Sequence, residues 1–172
     1  MLIATATAVV MCGDAFADNA KIAKIHADIE ADYADVAHID PDALDALPQD
    51  SRVLFDVREA DEYGVSHLSG AIRVDPGMSA AQFNERYASL LVDKTAVFYC
   101  SVGRRSSLLA QRLAQSDTTS GASRIYNLVG GIFQWRNEER ALVDDDGATD
   151  AVHPYNRFWG RLIKDKRAIR MR

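Results

Sequence analysis

The stretch Thr95-Ala96-Val97-Phe98-Tyr99-Cys100-Ser101-Val102-Gly103-Arg104-Arg105-Ser106, continued by Ser107 to Ala114, decides how this chain is to be read. Its first five residues are apolar, β-branched or aromatic, the composition of a buried strand. From Ser106 to Ser116 the apolar spacing predicts a helix. A cysteine therefore sits between a strand end and a helix start. In such a loop backbone N–H groups can converge on one point, Gly103 can take dihedrals barred to other residues, and the helix dipole adds positive potential. Each of these features stabilises an anion. The first anion served is the Cys100 thiolate, since a helix N-terminus and Arg104 or Arg105 would lower its pKa and make it a better nucleophile. A lone cysteine at a strand end is otherwise a small packed hydrophobe. The glycine and two arginines within five residues favour a reactive site.

Outward from this loop, short β-type runs at 37–39, 52–56, 72–74 and 124–126 alternate with helical stretches at 42–47, 60–63, 80–91 and 132–138. That alternation predicts an α/β domain with a mostly parallel sheet. Ligands of such sheets sit beyond the carboxyl ends of strands, which is where Cys100 falls. Ahead of the sheet, Ile22, Ile25, Ile29 and Tyr33 share one face of an amphipathic helix within residues 20–35. The acidic turn Asp144-Asp145-Asp146-Gly147 marks a break before the C-terminal segment. The expected organisation is a signal peptide at 1–17, a helix at 18–35, the main α/β domain at 36–143 and a basic amphipathic segment at 144–172.

The length of 172 residues suits one domain, and 48% hydrophobic with 26% charged residues is ordinary for a globular chain. A formal charge of -5 argues against a surface devoted to nucleic acid, so no nucleic-acid partner is expected. Two cysteines, Cys12 and Cys100, cannot build a disulfide framework or a four-thiolate zinc site. His67 has no second ligand at metal spacing, and His26, His38 and His153 are scattered, so neither a metal site nor a cofactor is expected.

Three motifs in order resemble the rhodanese family over about residues 36 to 139. The first is Leu54-Phe55-Asp56-Val57-Arg58 with Glu62-Tyr63 and His67-Leu68-Ser69-Gly70-Ala71, similar to the family's D-V-R, E-[FY] and G-H-I-x-G-A run. The second is the C-x-x-G-x-R-S loop from Cys100 to Ser106. The third is Asn127-Leu128-Val129-Gly130-Gly131-Ile132-Phe133-Gln134-Trp135, matching N-L-x-G-G-x-x-x-W. Ser66 stands where the family usually has Gly, and Val74-Asp75 replaces Ile-Pro; both departures touch turns. The resemblance implies a single three-layer domain with a central, mostly parallel five-stranded sheet flanked by helices. It also implies sulfane-sulfur transfer. Cys100 would take sulfur from a small anionic donor such as thiosulfate, form a persulfide, and pass the sulfur to a thiol or cyanide. Ser101, Val102, Gly103, Arg104 and Arg105 would supply backbone donors. Both arginines would attract the donor and neutralise the leaving sulfite, although which one points inward is not readable from sequence.

Supporting roles are expected nearby. Asp56 ends a strand and is expected to accept hydrogen bonds that hold the reactive loop, Arg58 and Glu62 to pair across the turn, and Ser106 to be a further supporting residue. Gly130 and Gly131 would form a tight turn, with bounding the substrate pocket as an alternative. Two rival functions are weighed. Phosphate chemistry usually wants C-x-x-x-x-x-R, whereas Arg105 follows Cys100 by only five positions, a shorter loop that better fits one sulfur atom. A sulfur carrier or docking module without efficient turnover is the other rival.

The ends differ in character. Residues 2–12 are apolar but far short of the roughly 20 needed to span a bilayer as a helix. They precede Ala15-Phe16-Ala17, a small-x-small pattern like a secretory cleavage site, although no Lys or Arg precedes the run. A periplasmic or secreted location is expected, with a buried N-terminal element of a cytoplasmic protein as the alternative. Cleavage after Ala17 would leave Cys100 as the sole thiol. Residues 154–172 hold seven bases against one acid, and Phe158, Trp159, Leu162 and Ile163 predict an amphipathic helix. It would dock on the domain, or else meet an anionic membrane or an acidic protein.

Overall fold

Strand β4 (Thr95–Tyr99) buries Ala96 and Phe98 on one face and Val97 and Tyr99 on the other. A strand buried on both sides needs cover above and below, and that requirement organises the molecule. The computed structural model describes residues 13–116 and 121–171. Around β4 lie β1 (His38–Ile39), β2 (Arg52–Asp56), β3 (Ile72–Arg73) and β5 (Arg124–Leu128), in the order β1-β5-β4-β2-β3. Every pair is parallel, so the sheet expected to be mostly parallel is wholly so.

Helices α1 (Gly13–Asp32), α2 (Pro41–Ala46) and α6 (Gly131–Asn137) contribute Ile22, Leu44, Ile132 and Phe133 to an apolar cluster with Leu54, Val97 and Tyr99. Helices α4 (Ala80–Tyr87) and α5 (Arg104–Ala114) contribute Phe83, Tyr87, Leu109 and Leu113 to a second cluster with Val53, Phe55 and Phe98. The period-2 alternation of β2 and β4 thus feeds two cores, giving the three layers. In the second core Phe83 packs its ring against Phe55 at 5.0 Å and Phe98 at 5.3 Å. Local signals set the helix starts. Asp40 caps α2 by accepting from the Ala43 amide, with Pro41 at its first position, and Ser79 forms a capping box with Gln82 before α4.

Several expectations are corrected. Helix α5 begins at Arg104, two residues earlier than its apolar spacing suggested, and the helix expected over 80–91 ends at Tyr87, with a 3₁₀ turn following. The acidic run 144–147 forms the turn of a hairpin, β6 (Leu142–Asp144) and β7 (Gly147–Thr149), rather than a break. Val143 and His67 exchange backbone hydrogen bonds, which ties this hairpin to the turn after α3 (Ala60–Val65).

The amphipathic C-terminal helix does not form. Residues 154–171 instead carry two 3₁₀ turns, Trp159–Leu162 and Lys166–Ala168. The Asn156 carboxamide oxygen accepts from the Phe158 and Trp159 amides, an Asx turn competing with helix initiation. Asn137 on α6 accepts from the Lys164 amide and donates to the Leu162 carbonyl, capturing backbone groups a helix would have used. Phe158 is left 63% exposed, while the consecutive residues Leu162 and Ile163 are both buried, so burial does not follow a helical stripe. The expected leader falls, for residues 1–12 and hence Cys12, outside the described residues; residues 13–17 belong to α1.

Candidate active site

Cys100 follows the carboxyl end of the central strand, where the neighbouring strands diverge in connection. Its backbone and that of Ser101 are turned by a specific contact. The carbonyls of Cys100 and Ser101 accept from the Ile132 and Phe133 amides at the start of α6, at 2.9 and 3.1 Å. These are helix N-terminal amides that need partners from outside their helix. With its carbonyls pointed at α6, the loop can turn its own amides inward. That approach needs Gly131, where a Cβ would lie 2.3 Å from the Cys100 carbonyl oxygen. Gly131 therefore serves the close approach of the loop backbone, whereas a Cβ at Gly130 would meet the Gln134 side chain.

The amide of Gly103 donates to Cys100 Sγ at 3.2 Å, and neighbouring Val102 and Ser106 also favour the thiolate. Gly103 reaches this geometry at φ 104°, in the region that favours glycine. Burial pushes the thiol up, but the Arg105 charge and these donors outweigh it and bring Cys100 below the ordinary thiol range. The residue is 1% exposed. It is thus a buried sulfur that accepts from a loop amide beside a guanidinium charge.

The two arginines part company. Arg105 turns inward: its guanidinium donates to both Glu62 carboxylate oxygens, at 2.6 and 2.8 Å, and to Ser101 Oγ at 2.9 Å. The Ser101 hydroxyl in turn donates to Glu62 Oε1 at 2.9 Å, closing a small ring. Burial opposes the Arg105 charge, but Glu62 and the Cys100 thiolate raise its pKa overall. For Glu62, burial raises the carboxyl and Arg105 more than compensates, leaving it lowered from its ordinary value of 4.5. Arg104, expected to share the work of attracting a donor, instead pairs with Asp32 of α1 at 2.8 Å on the surface.

The supporting residues are rearranged in the same way. Asp56 does not hold the reactive loop; it accepts a bidentate fork from Arg58, at 2.8 and 2.6 Å. Arg58 does not pair with Glu62; its Nη2 reaches Asp56 and the Ser66 carbonyl, pinning the turn after α3. Both members are fully buried. Ser106 donates to the carboxamide oxygen of Asn127 at 2.6 Å, and Asn127 Nδ2 lies 3.2 Å from His38 Nδ1. Glu62 as the anchor of Arg105, Asn127 as the holder of Ser106, and Tyr155, whose ring covers Arg105, were missed in the sequence as site residues. Glu62 and Asn127 lie inside the quoted motifs; Tyr155 carries no sequence signal toward the loop. Among the described residues no group of three or more His, Cys, Asp or Glu is placed to hold a metal ion. A cleft of about 660 Å³ lined by Asp75, Met78, Gln82 and Arg86 contains none of these groups.

The model of the rhodanese-like domain matches residues 40–138, more than half of the chain. Thiosulfate sulfurtransferase GlpE of Coxiella burnetii is 27% identical over 104 residues, covering 60% of this chain and 88% of that protein. GlpE of Pseudomonas fluorescens (strain SBW25), also named a thiosulfate sulfurtransferase, is 31% identical over 105 residues, covering 61% and 89%. The uncharacterized protein YqhL of Bacillus subtilis (strain 168) is 33% identical over 88 residues, 51% of this chain, and the match spans only 64% of that relative. Among solved structures, a thiosulfate sulfurtransferase of Pseudomonas aeruginosa shares the fold at a TM-score of 0.55 and 20% identity, over 76% of this chain and 22% of that one. With the parallel five-stranded sheet and a cysteine loop between β4 and α5, these matches place the chain in the rhodanese-like domain family.

Proposed function

We propose that this protein transfers sulfane sulfur through a persulfide on Cys100, with a small anionic donor of the thiosulfate type and a thiol or cyanide as acceptor. The observation that carries the proposal is the Gly103 amide donating to Sγ, on a thiol that Arg105 and the neighbouring loop residues hold below its ordinary range. The relatives named thiosulfate sulfurtransferases support the same chemistry.

In the first step the Cys100 thiolate attacks the outer sulfur of thiosulfate. A bond forms between the two sulfurs, the donor's S–S bond breaks, and its electron pair leaves with sulfite. The new terminal sulfur carries the negative charge, and the inward amides are placed to stabilise it as they stabilise the thiolate. Arg105 faces the same point and would offset the charge of donor and leaving group. In the second step cyanide or a thiolate attacks that terminal sulfur, the persulfide bond breaks, and its electron pair returns to Cys100. Arg104 has no part in this scheme, being committed to Asp32 on the surface.

Mass spectrometry of the intact protein after thiosulfate tests the first step. The expected result is one added sulfur that reductant removes and that Cys100→Ser does not acquire; no such adduct on the wild type overturns the reading. The near-complete burial of Cys100 favours a second reading, a sulfur carrier whose partner must open the loop. A stoichiometric adduct without steady-state turnover would select it. Export after cleavage at Ala17 is a separate proposal, resting on the apolar run and the Ala15-Phe16-Ala17 pattern; a chain from its native compartment that still begins at Met1 would reject it.

A further inference from the structure

The family match stops at residue 138, yet the chain beyond it returns to the reactive loop through one side chain. The Tyr155 ring lies over the Arg105 guanidinium, 4.8 Å from its central carbon to the ring centroid. Arg105 is the most open of the side chains that reach the sulfur: it is 24% exposed, whereas Cys100 is 1% exposed and Ser106 is fully buried. The solvent-facing side of the group around Sγ is thus the Arg105 guanidinium, and the Tyr155 ring lies on that guanidinium.

The Tyr155 backbone is fixed by its neighbours, while the residue itself is 47% exposed. Tyr155 sits at φ 62°, one of three non-glycine residues with positive φ among those described. Such a conformation is disfavoured for a bulky residue and persists only where the surroundings impose it, often at functional positions. Here the Tyr155 amide donates to Nδ1 of the buried His153 at 3.1 Å, and the Asn156 amide donates to the Pro154 carbonyl at 2.7 Å. Pro154 is buried against Gly160, and the fully buried Val152 exchanges backbone hydrogen bonds with Ala168 and Arg170. The Arg105 edges are taken by Glu62 and Ser101, which fix it in its own plane. Only a group on its face can stop it tilting out of that plane, and Tyr155 occupies one face.

We propose that Tyr155 is a positioning residue that keeps Arg105 turned toward Cys100 and narrows the mouth of the site, selecting small anionic sulfur donors over bulky persulfides. The donor preference rests on the sulfurtransferase reading above; the narrowing of the mouth does not. A ring over a guanidinium contributes attraction through its π face, and its bulk excludes a large donor from the same approach.

The full chain with Tyr155→Ala, Tyr155→Leu and Tyr155→Phe tests this in two ways. The first is the rate at which iodoacetamide alkylates Cys100, followed on the Cys100 peptide by mass spectrometry, which needs no sulfur chemistry. At a pH well above the thiol's inflection, where access alone sets the rate, Tyr155→Ala should react about fivefold faster and Tyr155→Phe at the wild-type rate. The second is steady-state turnover with thiosulfate and with glutathione persulfide. Tyr155→Ala should raise KM for thiosulfate about fivefold with little change in kcat, and should shift the kcat/KM ratio toward glutathione persulfide. Tyr155→Leu, which keeps bulk without a π face, should show the thiosulfate KM effect alone, and Tyr155→Phe should restore the wild-type pattern. Unchanged alkylation and donor preference across the series, or equal losses in Phe and Ala, would overturn the proposal. If alkylation follows the expected order but neither donor modifies Cys100, the sulfurtransferase reading falls while the placement of Tyr155 at the mouth stands.

Discussion

Two carboxylate–guanidinium pairs stand near the carboxyl ends of β2 and β4, and they are built from the same parts. Asp56–Arg58 and Glu62–Arg105 each close at 2.6 Å with a fork of hydrogen bonds. The first is fully buried on both sides and spends its remaining reach on the Ser66 carbonyl. The second leaves its arginine 24% exposed and turned to a sulfur. Pair geometry alone does not distinguish a clamp from a charge available to a substrate. Exposure and the third neighbour do.

The comparison can be broken most forcefully at the buried pair. Asp56→Asn leaves Arg58 charged and without its counter-ion in the interior, which should cost about 3–5 kcal/mol, read as a large drop in the urea midpoint. Well below the unfolding transition, turnover per folded molecule should stay within about threefold of wild type. A folded Asp56→Asn protein with no activity would show that the two pairs are not separate in role.

Next comes the open pair. Arg105→Gln removes a charge aimed at the sulfur and should lower kcat/KM about 100-fold, roughly 2.7 kcal/mol. It should also move the pH inflection of Cys100 alkylation upward, because the wild-type thiol is held low against burial by Arg105 and the surrounding donors. An unchanged inflection would remove Arg105 from the account of thiolate activation.

Glu62→Gln is gentler, since the amide still accepts one hydrogen bond; about 1–2 kcal/mol should be lost at pH 7. The wild-type carboxyl titrates below its ordinary 4.5 in the folded state, so the pair stabilises the fold fully above that value. That contribution fades as pH falls through the lower folded value. Wild-type stability should therefore drop more steeply than that of Glu62→Gln below pH 4.5, and parallel curves would contradict the assignment. The smallest effect is expected at Arg104→Ala. Its partner Asp32 is half-exposed, so stability should change by no more than about 0.5–1 kcal/mol and activity not at all.

Neighbouring Arg104 and Arg105 also show how far sequence reasoning reaches. Both follow the glycine within two residues and both are placed by the same helix start, so nothing in their spacing assigns the inward role. The separation comes from Asp32 on α1 and Glu62 on α3, which arrive from other parts of the chain. A pairing of Arg58 with Glu62 suits their spacing of four residues around a turn, but the Asp56 fork lies closer and leaves Glu62 to the reactive loop. The C-terminal helix failed for a related reason. Its apolar periodicity was present, but an Asx turn at Asn156 and the capture of backbone by Asn137 outweighed propensity.

What the sequence determined by itself is what depends on neighbours along the chain: the strand–cysteine–helix succession, the glycine that lets the loop turn, and the alternation that makes strands two-faced and forces a covered parallel sheet. Tertiary structure alone decided which arginine faces the sulfur, which carboxylate anchors it, and that Tyr155 from beyond the family match lies over it. Backbone conformation and hydrophobic period are set over a few residues, whereas the pairing of charges and the covering of a site depend on distant segments brought together by burial.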